Sequence, residues 1–133
     1  MKKKRWTSSS GSIFNLGYHI IWCTKYRRKI LIEEVETRLK ELLIEKAKDL
    51  DVKIEKMEVM PDHVHLFVKA KPVDATHFIA GQLKGYSSKI LRQEMPKVKS
   101  KLPTLWTRSY FIESVGNISE GTIKRYIENQ KNV

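Results

Sequence analysis

Two imidazoles stand two residues apart in the run Pro61-Asp62-His63-Val64-His65-Leu66-Phe67-Val68, whose alternation marks a β-strand. Alternate strand residues share a face, so His63 and His65 point the same way. Their Cα atoms lie roughly 6.6 Å apart at a rise of about 3.3 Å per residue, a gap two rings can close onto one ion. The pair is half of a metal site. The plain alternative is two solvated or hydrogen-bonded histidines on a polar strand face, which His-x-His alone does not exclude. Val64, Leu66 and Val68 form the opposite, apolar face, so the strand has a core side and a side for chemistry that carries the histidines and Phe67.

A second pair of functional groups stands near the end of the chain, in Thr122-Ile123-Lys124-Arg125-Tyr126-Ile127-Glu128-Asn129-Gln130. At helical spacing Ile123 and Ile127 make a packing stripe, while Thr122, Tyr126 and Gln130 follow one another on an adjoining one. A phenol hydroxyl and an amide oxygen then share one edge. The plain alternative is a tyrosine packed on a sheet and a surface glutamine.

Strand and helix need a domain to bring them together, and 133 residues make about one. Lys and Arg number 26 against 15 Asp and Glu, a net charge of +11, which favours a polyanionic partner and above all nucleic acid. The single cysteine, Cys23, lies in an apolar stretch; it excludes an internal disulfide, suits a reducing cytoplasm and reads as a core residue. No apolar run approaches the roughly 18 residues that span a bilayer, so a soluble protein is expected. The basic start, Met1-Lys2-Lys3-Lys4-Arg5, is followed by serines rather than an apolar core, which argues against secretion. The expected organisation is a flexible basic arm over 1–12 and one domain over 13–133.

Within that domain the elements alternate. A first strand over 13–26 ends in the basic turn Lys25-Tyr26-Arg27-Arg28-Lys29. Val35, Leu39, Leu42, Leu43 and Ala47 recur at helical spacing over 33–50. In 52–60 the apolar phase slips from Val52 and Ile54 to Met57 and Val59, as a β-bulge near Glu55 would produce. Pro61-Asp62 turns the chain into the histidine strand. Asp74 is placed to cap a helix over 75–94, with Phe78, Ile79, Leu83, Tyr86, Ile90 and Leu91 as its buried stripe, and Pro96 ends it. The lysine-rich 97–103 reads as a solvated loop and 105–115 as a fourth strand. Asn117 and Glu120 fit a capping box ahead of the terminal helix. This order is α+β, the ferredoxin-like split βαβ: an antiparallel four-stranded sheet with helices on one face, plus an extra C-terminal helix. Such a fold hosts many functions and does not decide among them.

Four segments in this order are together specific: the opening Tyr18-His19-Ile20-Ile21-Trp22-Cys23-Thr24-Lys25-Tyr26-Arg27, the centre Met60-Pro61-Asp62-His63-Val64-His65, the helical Gly85-Tyr86-Ser87-Ser88 and the closing Tyr126-Ile127-Glu128-Asn129-Gln130. The chain resembles, over nearly its whole length, the single-tyrosine HUH transposases of small insertion sequences, of the IS200-like type. The resemblance implies cutting and rejoining of single-stranded DNA beside imperfect hairpins, through a 5′-phosphotyrosine and a free 3′-hydroxyl. It makes Tyr126 the nucleophile and His63, His65 and Gln130 the holders of a divalent ion, Mg²⁺ or Mn²⁺, that polarises the scissile phosphate. By softness, two imidazoles and an amide suit manganese or zinc better than magnesium. It also implies a homodimer with composite sites, histidines from one subunit and the tyrosine helix from the other, for which Gly116 is a candidate hinge.

The basic residues then gain a task. Lys25, Arg27, Arg28 and Lys29 after the first strand, with Lys84 and Lys89 on the second helix, are candidate DNA phosphate contacts, and Tyr86 or Trp106 a stacking face. Two rival readings stand beside this one. A non-catalytic ferredoxin-like nucleic-acid module would bind hairpins with no adduct and no metal, although the ribonucleoprotein aromatic pattern is lacking. Another HUH nuclease, such as a replication initiator, shares the motif but tends to be larger.

Overall fold

The computed structural model describes residues 16–70, 76–101, 104–114 and 120–130. Its order is β1 (Leu16–Cys23), a single 3-10 turn (Lys25–Arg27), α1 (Glu33–Asp49), β2 (Lys53–Met60), β3 (His63–Ala70), α2 (Thr76–Glu94), α3 (Pro96–Lys101), β4 (Phe111–Ser114) and α4 (Glu120–Glu128). The strands form one antiparallel sheet in the order β2-β3-β1-β4, the expected ferredoxin-like arrangement. The basic arm, the caps at Asp74 and Asn117 and the hinge at Gly116 lie outside the described residues.

Period-2 alternation builds the sheet. On β3, Val64, Leu66, Val68 and Ala70 are fully buried, while His63, His65 and Phe67 stay partly open. β1 matches this pattern, sending Ile20 and Trp22 into the same core. α1 covers that side with Val35, Leu39, Leu42 and Leu43, and α2 with Ile79, Leu83 and Leu91. Glu33, Glu34 and Glu36 in the first turn of α1, with Lys46 and Lys48 in its last, complement its macrodipole. β2 shifts register against β3 between Ile54 and Lys56, so the bulge read from the phase slip is present at Glu55. Leu66→Ala, deep in this core, is expected to destabilise the fold by about 2–5 kcal/mol, seen as a lower urea midpoint at unchanged slope.

Three expectations are corrected. Phe78 is 56% exposed, because the buried stripe of α2 runs one residue later and takes in Ala80, Lys84 and Ser87. The segment after α2 is the helix α3, not a loop. Pro96, preset for a first helical turn, starts it, and Val98, buried against the core, anchors it. The fourth strand is regular only over Phe111–Ser114; Trp106 makes one isolated bridge to Thr24. Between them, the carbonyls of Thr107, Arg108 and Ser109 turn onto the Lys84 ammonium instead of a ladder partner.

Candidate active site

Directly paired residues of an antiparallel sheet share a face. Cys23 pairs with His63, Ile21 with His65 and His19 with Phe67; on the outer strands Phe111 pairs with Ile21 and Glu58 with His65. The histidines therefore lie on the face away from the main helices. Ile21 and Cys23 are fully buried yet belong to no part of the main core. α4 lies against β1 on that face, with the Tyr126 ring packed on Phe111 at 5.7 Å between centroids. Burial pushes the Cys23 thiol up to about 11, aided by the Asp62 charge, as befits a packed residue.

His63 is held from behind. Its Nδ1 lies 2.9 Å from Asp62 Oδ1, and Asp62 Oδ2 accepts from Arg27 Nε at 3.0 Å and Nη2 at 2.8 Å. Burial alone would raise the Asp62 carboxyl, but hydrogen bonds from His63 and Arg27 and the Arg27 charge outweigh it and hold it below its ordinary value. The ionised carboxylate accepts a hydrogen bond from His63 Nδ1–H, which leaves the Nε2 lone pair for a ligand. Building this clamp carries strain. Tyr26 and Arg27 stand at φ 57° and 52°, each a left-handed conformation costing on the order of 1 kcal/mol in a residue with a side chain. Thr24 Oγ1 braces the turn by donating to Arg28 O at 2.7 Å. Asp62→Asn is expected to lower divalent-ion affinity about 10- to 100-fold, read by calorimetric Mn²⁺ titration.

His65 Nε2 lies 2.9 Å from His19 Nδ1, and its Nδ1 is 3.6 Å from Glu58 Oε1. Burial, then the neighbouring His19, lower its pKa, so the imidazole is neutral at neutral pH, as a metal ligand must be. Metal ligation through Nε2 would compete with the His19 contact. His19 carries no recognisable signal of its own in the sequence, because the cross-strand register that brings it to His65 is not legible there. Two imidazoles on one strand face, one backed by a carboxylate, suit a divalent ion. Among the described residues no group of three or more His, Cys, Asp or Glu is placed to hold one. Further ligands therefore fall to amide, water or phosphate oxygens.

Tyr126 and Gln130 come together as the helical spacing suggests. Ser109 Oγ donates to Gln130 Oε1 at 2.7 Å and lies 3.1 Å from the Tyr126 hydroxyl. Burial pushes the Tyr126 phenol up to about 12, with Ser109 and Thr107 hydrogen bonds acting the other way. At neutral pH it keeps its proton, so serving as a nucleophile requires a base. Among the described residues both side chains bond to Ser109 rather than to either histidine. The four groups thus share a sheet face, with Tyr126 and Gln130 joined through Ser109, His63 held by Asp62 and His65 beside His19.

The basic residues divide. Arg28 and Lys29 are exposed, and Lys25 lies 5.1 Å over the Tyr26 ring. Lys89 is exposed on a groove between α1 and α2 that Lys46, Gly81, Gln82, Gly85 and Tyr86 also line. Arg27 is committed to Asp62. Lys84 is only 9% exposed, its ammonium donating to three backbone carbonyls, so the expectation of a phosphate contact there is corrected. Trp106, 6% exposed, stands edge-on to Trp22 and offers no stacking face.

Comparison with known proteins agrees with this layout. The family model "Transposase IS200 like" matches residues 12–130. The ISDra2 transposase TnpA of Deinococcus radiodurans is 40% identical over 132 residues, covering 98% of this chain and 91% of that protein. The transposase for insertion sequence element IS200 of Salmonella typhimurium is 29% identical over 119 residues, 88% of this chain and 78% of that one. A crystal structure of a candidate transposase from Deinococcus radiodurans superposes with a TM-score of 0.86 at 34% identity, covering 96% of this chain and 99% of that one. A REP-associated tyrosine transposase bound to a REP hairpin shares the fold, with a TM-score of 0.59 at 16% identity over 88% of this chain and 63% of its own.

Proposed function

This chain belongs to the IS200-like transposase family, and from that premise we propose that it cuts and rejoins single-stranded DNA at hairpin-bearing element ends through a covalent tyrosine intermediate. The observation that supports the reading is the placement of the Tyr126 hydroxyl on α4 and the Gln130 amide in the turn that ends it, on the sheet face that bears His63 and His65.

In the first step Tyr126 Oη attacks the scissile phosphorus. The phenol proton passes to a base, the bond to the 3′-oxygen breaks, the tyrosine becomes joined to the 5′-phosphate, and the departing 3′-oxygen gains a proton in exchange. In the second, a 3′-hydroxyl attacks that phosphotyrosine, the new phosphodiester forms and Tyr126 leaves. One phosphodiester replaces another, so no nucleotide triphosphate is consumed. A divalent ion, Mg²⁺ or Mn²⁺, held by His63, His65 and Gln130, would supply charge neutralisation at the phosphate. Asp62 keeps His63 in the ligating tautomer, and Arg28, Lys29, Lys25 and Lys89 furnish positive charge for the hairpin backbone.

The homodimer with composite sites that the resemblance implies is the alternative assembly, in which the tyrosine helix of one subunit would serve the histidines of the other. A mixed dimer, one subunit lacking His63 and His65 and the other lacking Tyr126, distinguishes the two: one working site would establish the exchange, and complete inactivity would keep histidines and tyrosine in one chain. The reading as a whole is tested with labelled single-stranded DNA from an element end. A denaturation-resistant adduct that depends on divalent ion supports it, whereas hairpin binding with no adduct would favour a non-catalytic nucleic-acid module.

A further inference from the structure

Lys84 is a cation on the buried stripe of α2, beside Ala80, Leu83 and Ser87. Its Nζ donates to Thr107 O at 2.7 Å, Arg108 O at 3.1 Å and Ser109 O at 3.0 Å. An ammonium has three N–H donors, and here each meets one of three consecutive carbonyls. Burial lowers its pKa to about 8, yet the carbonyl cage and the Tyr110 ring, 5.3 Å from Nζ, still favour the charged form. From the other side Trp106 Nε1 donates to Lys84 O at 3.1 Å and to Ser87 Oγ at 3.2 Å. Thr107 N–H donates to Cys23 O at 3.0 Å beside the bridge at Trp106, and beyond it Arg108 and Ser109 lie in no helix or strand, so the cage helps to set their path.

The path ends at Ser109. A serine hydroxyl has one proton and two lone pairs. With the proton given to Gln130 Oε1 at 2.7 Å, the oxygen is free to accept from the Tyr126 hydroxyl at 3.1 Å. One atom therefore bonds to Tyr126 on α4 and to Gln130 in the turn that ends it. Because that turn is closed onto the helix by Asn129 N–H to Arg125 O at 3.0 Å and Gln130 N–H to Ile127 O at 3.1 Å, a point shared by both side chains fixes the helix in rotation and in position along its axis.

We propose that Ser109, set in place by the Lys84 ammonium, is a positioning residue that registers Tyr126 and Gln130 against the sheet for strand cleavage. The inference rests on the proposed tyrosine chemistry and deepens it. Ser109 does not touch the scissile phosphate; its effect runs through the placement of the nucleophile, where misplacement of about 1 Å can cost on the order of 100-fold in rate.

The full chain and its Ser109→Ala, Ser109→Thr and Lys84→Met variants are compared for adduct formation at saturating single-stranded hairpin DNA, and separately for hairpin affinity. Ser109→Ala is expected to slow adduct formation about 10- to 100-fold with affinity within about twofold. Ser109→Thr, which keeps the hydroxyl, is expected to restore most of the rate, and Lys84→Met to slow it in the same direction. An unchanged or faster rate in Ser109→Ala, a defect confined to DNA affinity, or no recovery in Ser109→Thr would overturn the proposal while leaving the tyrosine chemistry standing. Absence of any adduct with the unaltered chain would overturn both.

Discussion

Replacing Tyr126 by phenylalanine is expected to bring the covalent protein–DNA adduct and strand cleavage down to background, with hairpin affinity held within about twofold. The substitution removes one oxygen and leaves the ring that packs on Phe111. The structural loss is small, since the hydroxyl makes only neutral hydrogen bonds, with Ser109 and Thr107, and Ser109 keeps Gln130 as its other partner. The chemical loss is total, because no other atom of that side chain can join the 5′-phosphate. Gel analysis after denaturation separates the two effects. A variant that still forms adduct at the native rate would assign the nucleophile elsewhere.

The histidines should show the next largest effect, and for a different reason. His63→Ala and His65→Ala each remove a proposed ligand, and each is expected to cut ion-dependent cleavage by more than about 100-fold, beyond the 10- to 100-fold typical of losing an outer partner such as Asp62. Both side chains are partly exposed on the sheet face opposite the main core, so folding should be little altered. Calorimetric titration with Mn²⁺ gives the matching loss of affinity without reference to activity. His65→Ala also frees His19, whose ring stands 5.1 Å from that of His65. Native cleavage rates in either variant, insensitive to chelator, would detach the histidines from the chemistry.

What could be read from the sequence follows a physical pattern. β3 was legible because one of its faces is fully buried, which forces strict alternation and places both histidines on the other. The bulge at Glu55 was legible for the same reason, since a slip in register must appear as a slip in apolar phase. The Tyr126–Gln130 pairing needed only helical spacing. Contacts that depend on tertiary register stayed hidden. His19 meets His65 only through the pairing of β1 with β3, and Ser109 meets α4 only because the chain before β4 bends over Lys84. Lys84 itself was misread as a surface cation; a buried lysine whose partners are backbone carbonyls leaves no complementary acidic residue to betray it. α3 was missed because a helix of 6 residues held by one buried valine has too little period to detect among lysines.

The structure divides the labour between a rigid strand and a docked helix. Arg27 and Asp62 lock His63 on β3, where neighbouring strands limit its movement on both sides. Tyr126 and Gln130 reach the same face through hydrogen bonds to Ser109 and Thr107 and one ring contact, an attachment that can be made and broken far more readily. Such an arrangement suits a reaction in which one nucleophile must attack, hold a DNA end and give it up again.

The central claim, that Tyr126 is the atom donor to DNA, is tested most directly by trapping the adduct, digesting protein and DNA, and locating the nucleotide-bearing peptide by fragment mass spectrometry. The account predicts a 5′-nucleotide phosphodiester on the peptide that contains Tyr126 and on no other; the same modification on Tyr18, Tyr26, Tyr86 or Tyr110, or a linkage through the DNA 3′-phosphate, would contradict it.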